Sequence, residues 1–78
     1  NENSANTDFR VESNGNANML FVDGGNNRIG LGTGSPTRTV QITDTSADMY
    51  LAFEGGTSNT VGILLGDTDD HTQSRIQH

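Results

Sequence analysis

Apolar residues recur along this chain with a period of two, in short runs separated by polar turn-forming clusters. Phe9-Arg10-Val11-Glu12 alternates cleanly, and Ser13-Asn14-Gly15-Asn16 then supplies turn chemistry. Met19 to Val22 is apolar at every position, the pattern of a strand covered on both faces. Arg28-Ile29-Gly30-Leu31-Gly32 sets Ile29 and Leu31 on one face and two glycines on the other. Pro36 is expected to close that strand, because it has no N–H to donate to a ladder. Arg38, Val40 and Ile42 alternate with Thr37, Thr39, Gln41 and Thr43. Met49, Leu51 and Phe53 alternate with Tyr50, Ala52 and Glu54, and Val61, Ile63 and Leu65 with Gly62, Leu64 and Gly66. Arg75-Ile76-Gln77 begins a last strand.

The connectors "DTSAD", "GGTSN" and "DTDDHT" are rich in turn formers. Thr45 to Phe53 could also be written as a short helix capped by Thr45 or Ser46, but it carries no 3.6-residue apolar stripe, so a strand is expected there. The chain reads as all-β, with six or seven short strands. A sandwich or barrel fits this spacing, as does a β-solenoid or a sheet interwoven between chains. "RIGLGTGS" and "VGILLGDT" echo each other, both placing small residues between aliphatics before a polar turn, which favours a repetitive arrangement.

Composition changes this picture in one respect: the core is thin. Seventy-eight residues make one small domain, and such a domain leaves roughly 40% of its unfolded surface exposed even when folded. Leu, Ile, Val and Phe together number 16, against 42 for Gly, Asn, Thr, Ser and Asp. A chain built this way needs a staple, a metal or an oligomer. There is no cysteine, so no disulfide and no thiolate chemistry are available. No apolar run approaches the roughly 18 residues that span a membrane. The N-terminal "NENSANTDF" lacks the basic start and apolar stretch of a signal peptide, and it lacks an initiator Met. Together with "QSRIQH", which stops in mid-strand, this suggests a single β-structured segment, residues 1–78, of a longer or processed protein, with residues 1–7 flexible.

The formal net charge is −6, with four arginines and no lysine. Binding to nucleic-acid phosphates or anionic lipid rests on neutralising their charge, so both are disfavoured as partners. An acidic surface instead keeps an exposed extracellular protein soluble. Arg10, Arg28, Arg38 and Arg75 are expected to sit beside Asp or Glu.

The candidate chemical motifs weaken when their context is read. Gly30, Gly32 and Gly34 spell GxGxG, but a dinucleotide loop requires a helix to follow, and here Pro36 and the alternating "RTVQIT" follow instead. Without lysine there is no P-loop. Glycine at alternate positions has a structural use, because it strips one strand face so that another backbone can approach. In the acidic run Asp67-Thr68-Asp69-Asp70-His71, the carboxylates of Asp67, Asp69 and Asp70 offer oxygen ligands to a hard cation. Neither the EF-hand glycine and glutamate nor the β-roll GGxGxDx is in place, so a solvated turn is the expected reading. His71 and His78 are the only imidazoles. No nucleophile-elbow motif surrounds Ser35, Ser58 or Ser74. Asp44, Asp48 and Glu54 show no spacing that singles out an acid–base pair. No catalytic, cofactor-binding or metal-ligating residue is therefore assigned.

"LFVDGGNNRIGLGTGSPTRTVQIT", Leu20 to Thr43, resembles the segment LFVD…NNR-[VI]-G-[IL]-GT-x-x-P of tail-fibre and other fibrous structural proteins of tailed phages, especially marine ones. "GILLGDTDDHTQSRIQH" is similar to the I-x-F-G-D…G-x-I-x-Y stretch that follows in such proteins, with Leu65 in place of the aromatic and Ser74 in place of the glycine. The two stretches cover about half the chain. The resemblance implies long, thin, mostly homotrimeric β-structures wound along a fibre axis in an extracellular virion appendage. Its implied partners are identical chains, other virion proteins and a host surface glycan. Many such proteins end in a self-cleaving chaperone with a Ser-Lys dyad, which this lysine-free chain does not contain; the resemblance would place it downstream. At the matched positions the motif is architectural: Gly24, Gly25, Asn26 and Asn27 form the turn, Gly30 and Gly32 permit close packing, and Pro36 stops the strand.

The function expected is a non-enzymatic shaft or spacer of a virion fibre with a part in host attachment. Two alternatives stay open. One is a secreted carbohydrate-binding or adhesin-like module, with Tyr50, Phe53 and the Asn/Asp loops as sugar contacts. The other is a subunit of a cellular extracellular filament.

Overall fold

A computed structural model describes residues 7–69 and 74–77. Within them the fold is all-β, with no helix. Six strands form two separate sheets: β1 (Phe9–Val11), β2 (Leu20–Asp23), β3 (Arg28–Leu31) and β4 (Val40–Ile42) in the first, β5 (Gly62–Leu65) and β6 (Ser74–Gln77) in the second. The first sheet runs in the order β1-β2-β3-β4, antiparallel as far as β3 and parallel between β3 and β4. The second is an antiparallel hairpin in which Ile63 faces Ile76. Among the described residues, no strand of one sheet contacts a strand of the other.

The β2–β3 hairpin turns through Gly24-Gly25-Asn26-Asn27, as the turn residues dictate. Asp23 pairs with Arg28 at its mouth, and the Asn27 amide donates to the Asp23 carbonyl at 3.0 Å. Asn27 takes the left-handed conformation, φ 57°, which Asn tolerates better than most side chains. The Asp23 carboxylate accepts from the Gly25 and Asn26 amides at 3.1 and 3.2 Å and from the Asn26 side chain at 3.0 Å. That side-chain bond is the largest cause holding the Asp23 carboxyl below its usual range, with the two amides and the Arg28 charge adding to it.

β3 and β4 are joined by Gly32 to Thr39, a crossover shorter than the dozen or more residues that parallel pairs ordinarily need. The crossover stays short because it lies directly on the sheet. A side chain at Gly30 would collide with the Thr33 carbonyl oxygen, and Gly30 and Pro36 are the two buried residues among those described. Arg28 donates to the Pro36 carbonyl at 3.1 Å, and the Thr37 amide donates to the Gln41 side-chain oxygen at 2.7 Å. β3 and β4 stay in step at both ends, through Ile29 N–H to Thr39 O at 2.8 Å and Thr43 N–H to Leu31 O at 2.9 Å.

Several expectations are corrected here. β3 ends at Leu31, not at Pro36. The chain leaves the strand at Gly32, whose φ of +90° only glycine adopts freely; Pro36 instead packs inside the crossover. Gly32 therefore does not share a strand face with Gly30. The strand expected over Met49, Leu51 and Phe53 is absent: Asp44 to Thr60 is exposed and pairs with no strand. Its side chains alternate, but its backbone joins no ladder of the described strands. Met19 to Val22 is not covered on both faces either, with Leu20 and Phe21 half-buried and Val22 exposed.

No hydrophobic side chain of the described residues is buried. The radius of gyration is 15.8 Å, where a globular chain of this length has about 11.5 Å. Its accessible surface is 6621 Å², against about 4,600 Å² for a folded monomer of this mass.

Candidate functional surface

The first sheet has two unlike faces, and register decides which residues share each. Phe9 pairs with Val22, Val22 with Ile29, and Ile29 with Val40, so these four side chains form one row across all four strands. Two residues along, Val11 pairs with Leu20 and Leu31 with Ile42, on the same face by the two-residue repeat of a strand. Eight apolar side chains and no charge make up this face. Phe9 and Val40 are each 55% exposed, so the rim of the row stands open to solvent. The intervening positions, Arg10, Phe21, Gly30 and Gln41, define the opposite face, the one the crossover covers.

At one end the apolar face runs into an open cleft of about 610 Å³, whose apolar lining includes Met19, Leu31, Ile42 and Met49 and whose polar lining includes Asn16 and Thr43. Backbone contacts shape this end. The Gly32 amide donates to the Asn18 carbonyl at 2.9 Å, and a side chain on Gly32 would strike the Thr43 carbonyl. The β1–β2 loop is held by Ser13 N–H to Asn16 O at 2.9 Å and Asn18 N–H to the Asn16 side chain at 2.8 Å. The hairpin β5–β6 carries a smaller apolar face, Ile63, Leu65 and Ile76.

The candidate polar residues do not converge. Asp44 accepts from the amide and hydroxyl of Ser46 at 2.9 and 2.8 Å, and these bonds, the amide first, lower its carboxyl below the usual range. It serves as a turn cap. Ser35 donates its amide to the Thr33 hydroxyl, and Ser58 lies in a turn closed by Asn59 N–H to Gly56 O at 3.1 Å. Asp48 and Glu54 are exposed on the unpaired segment. In the acidic turn the Asp69 amide donates to the Asp67 carboxylate at 2.9 Å; Asp70, His71 and His78 lie outside the described residues, as does the Ser74 side chain. Among the described residues no three acidic or imidazole groups come together as a metal site, and no helix is long and apolar enough to cross a membrane.

Of the arginines, Arg10 pairs with Glu12 at 2.8 Å and Arg28 stands opposite Asp23 on the ladder, while Arg38 donates to the Thr37 carbonyl. Sequence reasoning found the members of the apolar face but missed the face itself. The alternation along each strand was visible; the register that aligns four strands was not.

No family model matches the chain, and no match to it is found among curated proteins or solved structures.

Proposed function

We propose that this chain is a non-enzymatic structural segment of a virion appendage, a shaft or spacer of a tail fibre with a part in host attachment, assembled from identical chains as an intertwined homotrimeric β-fibre or β-solenoid-like arrangement. The observation that carries this reading is a folded β chain without one buried hydrophobic side chain among the described residues. A single-layer sheet has no interior, and domains are stable as two or more packed layers. Burying a few hundred Å² of apolar surface per chain contributes several kcal/mol at roughly 25 cal/mol per Å², comparable with the whole stability of a small domain. The trimer and the virion setting rest on the resemblance of Leu20 to Thr43 to fibre proteins. Other virion proteins adjoin such a segment along the axis, and a host surface glycan is the target of the appendage as a whole.

One observation favours a second reading, a secreted carbohydrate-binding or adhesin-like module: Tyr50 is 87% exposed and offers a sugar an aromatic face. Solution mass by sedimentation or light scattering, with and without EDTA, separates the two. A mass near three chains that EDTA leaves unchanged supports the fibre segment. A folded monomer of 8.3 kDa that binds on a glycan array rejects it in favour of the module, and filaments of indefinite length point to a cellular filament subunit.

A further inference from the structure

We infer that the eight-residue apolar face of the first sheet is the surface on which a second copy of this chain docks, centred on Ile29 and flanked by Val22 and Val40. The inference deepens the structural reading above and rests on it, because that reading requires only that chains associate somewhere.

Three observations select a second copy as the occupant. The first is area. The chain exposes 6621 Å², about 2,000 Å² more than a folded monomer of its size, whereas a standard specific interface covers about 800 Å² per partner. The surplus, spread over the whole chain, is of the size that permanent homo-oligomers bury, and the sheet face contributes eight apolar side chains to it. The second is charge. The molecule carries −6, so copies repel wherever their acids meet, yet all eight positions of this face are uncharged. On the adjacent strand positions Arg10, Asp23 and Arg28 belong to the opposite side. A like-charged copy can approach here without bringing carboxylates together, while a cationic partner would find nothing to pair with. The third is that the opposite side is already occupied in part. The crossover, seated on Gly30 and held by Arg28 and Gln41, lies over the β3–β4 part of that side. The apolar face has no such layer over its central row.

The face also continues past Leu31 and Ile42 into the cleft beside Met49. Its polar lining includes the Asp44 carboxylate, so the docked copy is confined to the uncharged strand rows and leaves the cleft to solvent.

The test uses the cysteine-free chain to carry one thiol at a time. In the assembled protein, the thiol introduced by Ile29→Cys is expected to react with a soluble thiol reagent about tenfold more slowly than the one introduced by Arg10→Cys. That protection should vanish on dilution to the single-chain mass. Ile29→Asp should lower the mass to one chain under conditions where Arg10→Ala stays assembled. If the native chain is assembled but the two thiols react at equal rates, or Ile29→Asp remains assembled, the docking face is overturned and the structural reading survives. If the native chain is a monomer, both fail. Protection of the Ile29→Cys thiol that does not depend on concentration would mean that the chain's own β5–β6 hairpin covers the face, which also overturns the proposal.

Discussion

Gly30 is buried because Thr33, three residues further on, lays its carbonyl oxygen against the place where a Gly30 side chain would stand. This contact lets a crossover of eight residues, Gly32 to Thr39, return the chain to a parallel strand. It also leaves the sheet one-sided, with the crossover on one face and, on the other, eight apolar side chains of which Phe9, Val11, Val22, Ile29 and Val40 are exposed.

Gly30→Val is expected to destabilise the protein by about 1–3 kcal/mol, the usual cost of forcing atoms into a packed site. The carbonyl it meets is backbone and cannot rotate away. Gly15→Ala provides the control, since nothing lies within 4 Å of that position, and it should change stability by about 0.5 kcal/mol or less. Chemical denaturation of both variants at one chain concentration gives the comparison; equal losses would show that the Gly30–Thr33 contact has no energetic weight.

Asn27 at φ 57° makes a second site where the residue type matters more than its contacts. Asn27→Gly should be neutral or slightly stabilising. Asn27→Val should cost about 1–2 kcal/mol, because a β-branched side chain clashes in the left-handed region. The readout is the denaturation midpoint, supplemented by hydrogen exchange at Arg28 and Ile29, where the hairpin would open first.

Asp23 and Asp44 both titrate below the ordinary carboxylate value of 3.8 when folded. A carboxyl depressed in the folded state stabilises it when ionised. The contribution is therefore complete above the unfolded pKa and is lost as pH falls through the folded one, below about pH 4. Amide exchange at Gly25, Asn26 and Ser46 should be independent of this effect above that range and lose protection in stronger acid. Asp23→Asn should flatten the acid response of Gly25 and Asn26 and leave that of Ser46 intact. A response of all three amides unchanged by Asp23→Asn would sink the assignment.

Arg28 joins the hairpin to the crossover, since it stands opposite Asp23 and donates to the Pro36 carbonyl at 3.1 Å. Arg28→Met keeps the aliphatic stem and removes the donor, which should cost about 1–2 kcal/mol as a charge-assisted bond in a half-buried setting. Arg38→Met is the contrast, because Arg38 donates to its neighbour Thr37 in full solvent and should be near neutral. Thermal unfolding of the two variants side by side checks the order.

The β2–β3 hairpin shows how far the sequence could be read. Asp23 to Arg28 was legible down to the turn residues, because four consecutive turn formers between two apolar runs leave the backbone few choices. Gly30 was legible as a point of close approach, although the partner is Thr33 of the same chain. Pro36 and Met49 to Phe53 were misread for one reason: a residue with the right local preference needs a neighbour before it can end or extend a ladder. Pro36 found the crossover interior instead, and Met49, Leu51 and Phe53 found no edge.

By itself, the sequence determined that this protein is β-structured, turn-rich, acidic and short of core, because period, turn chemistry and composition are local properties carried by each residue. The tertiary structure alone decided that Phe9, Val22, Ile29 and Val40 stand in one row, that the crossover closes the other face, and that this row is left open. Register is a relation between strands distant in the chain, set by the Asp23–Arg28 turn and by the bare backbone of Gly30. No single strand carries that information.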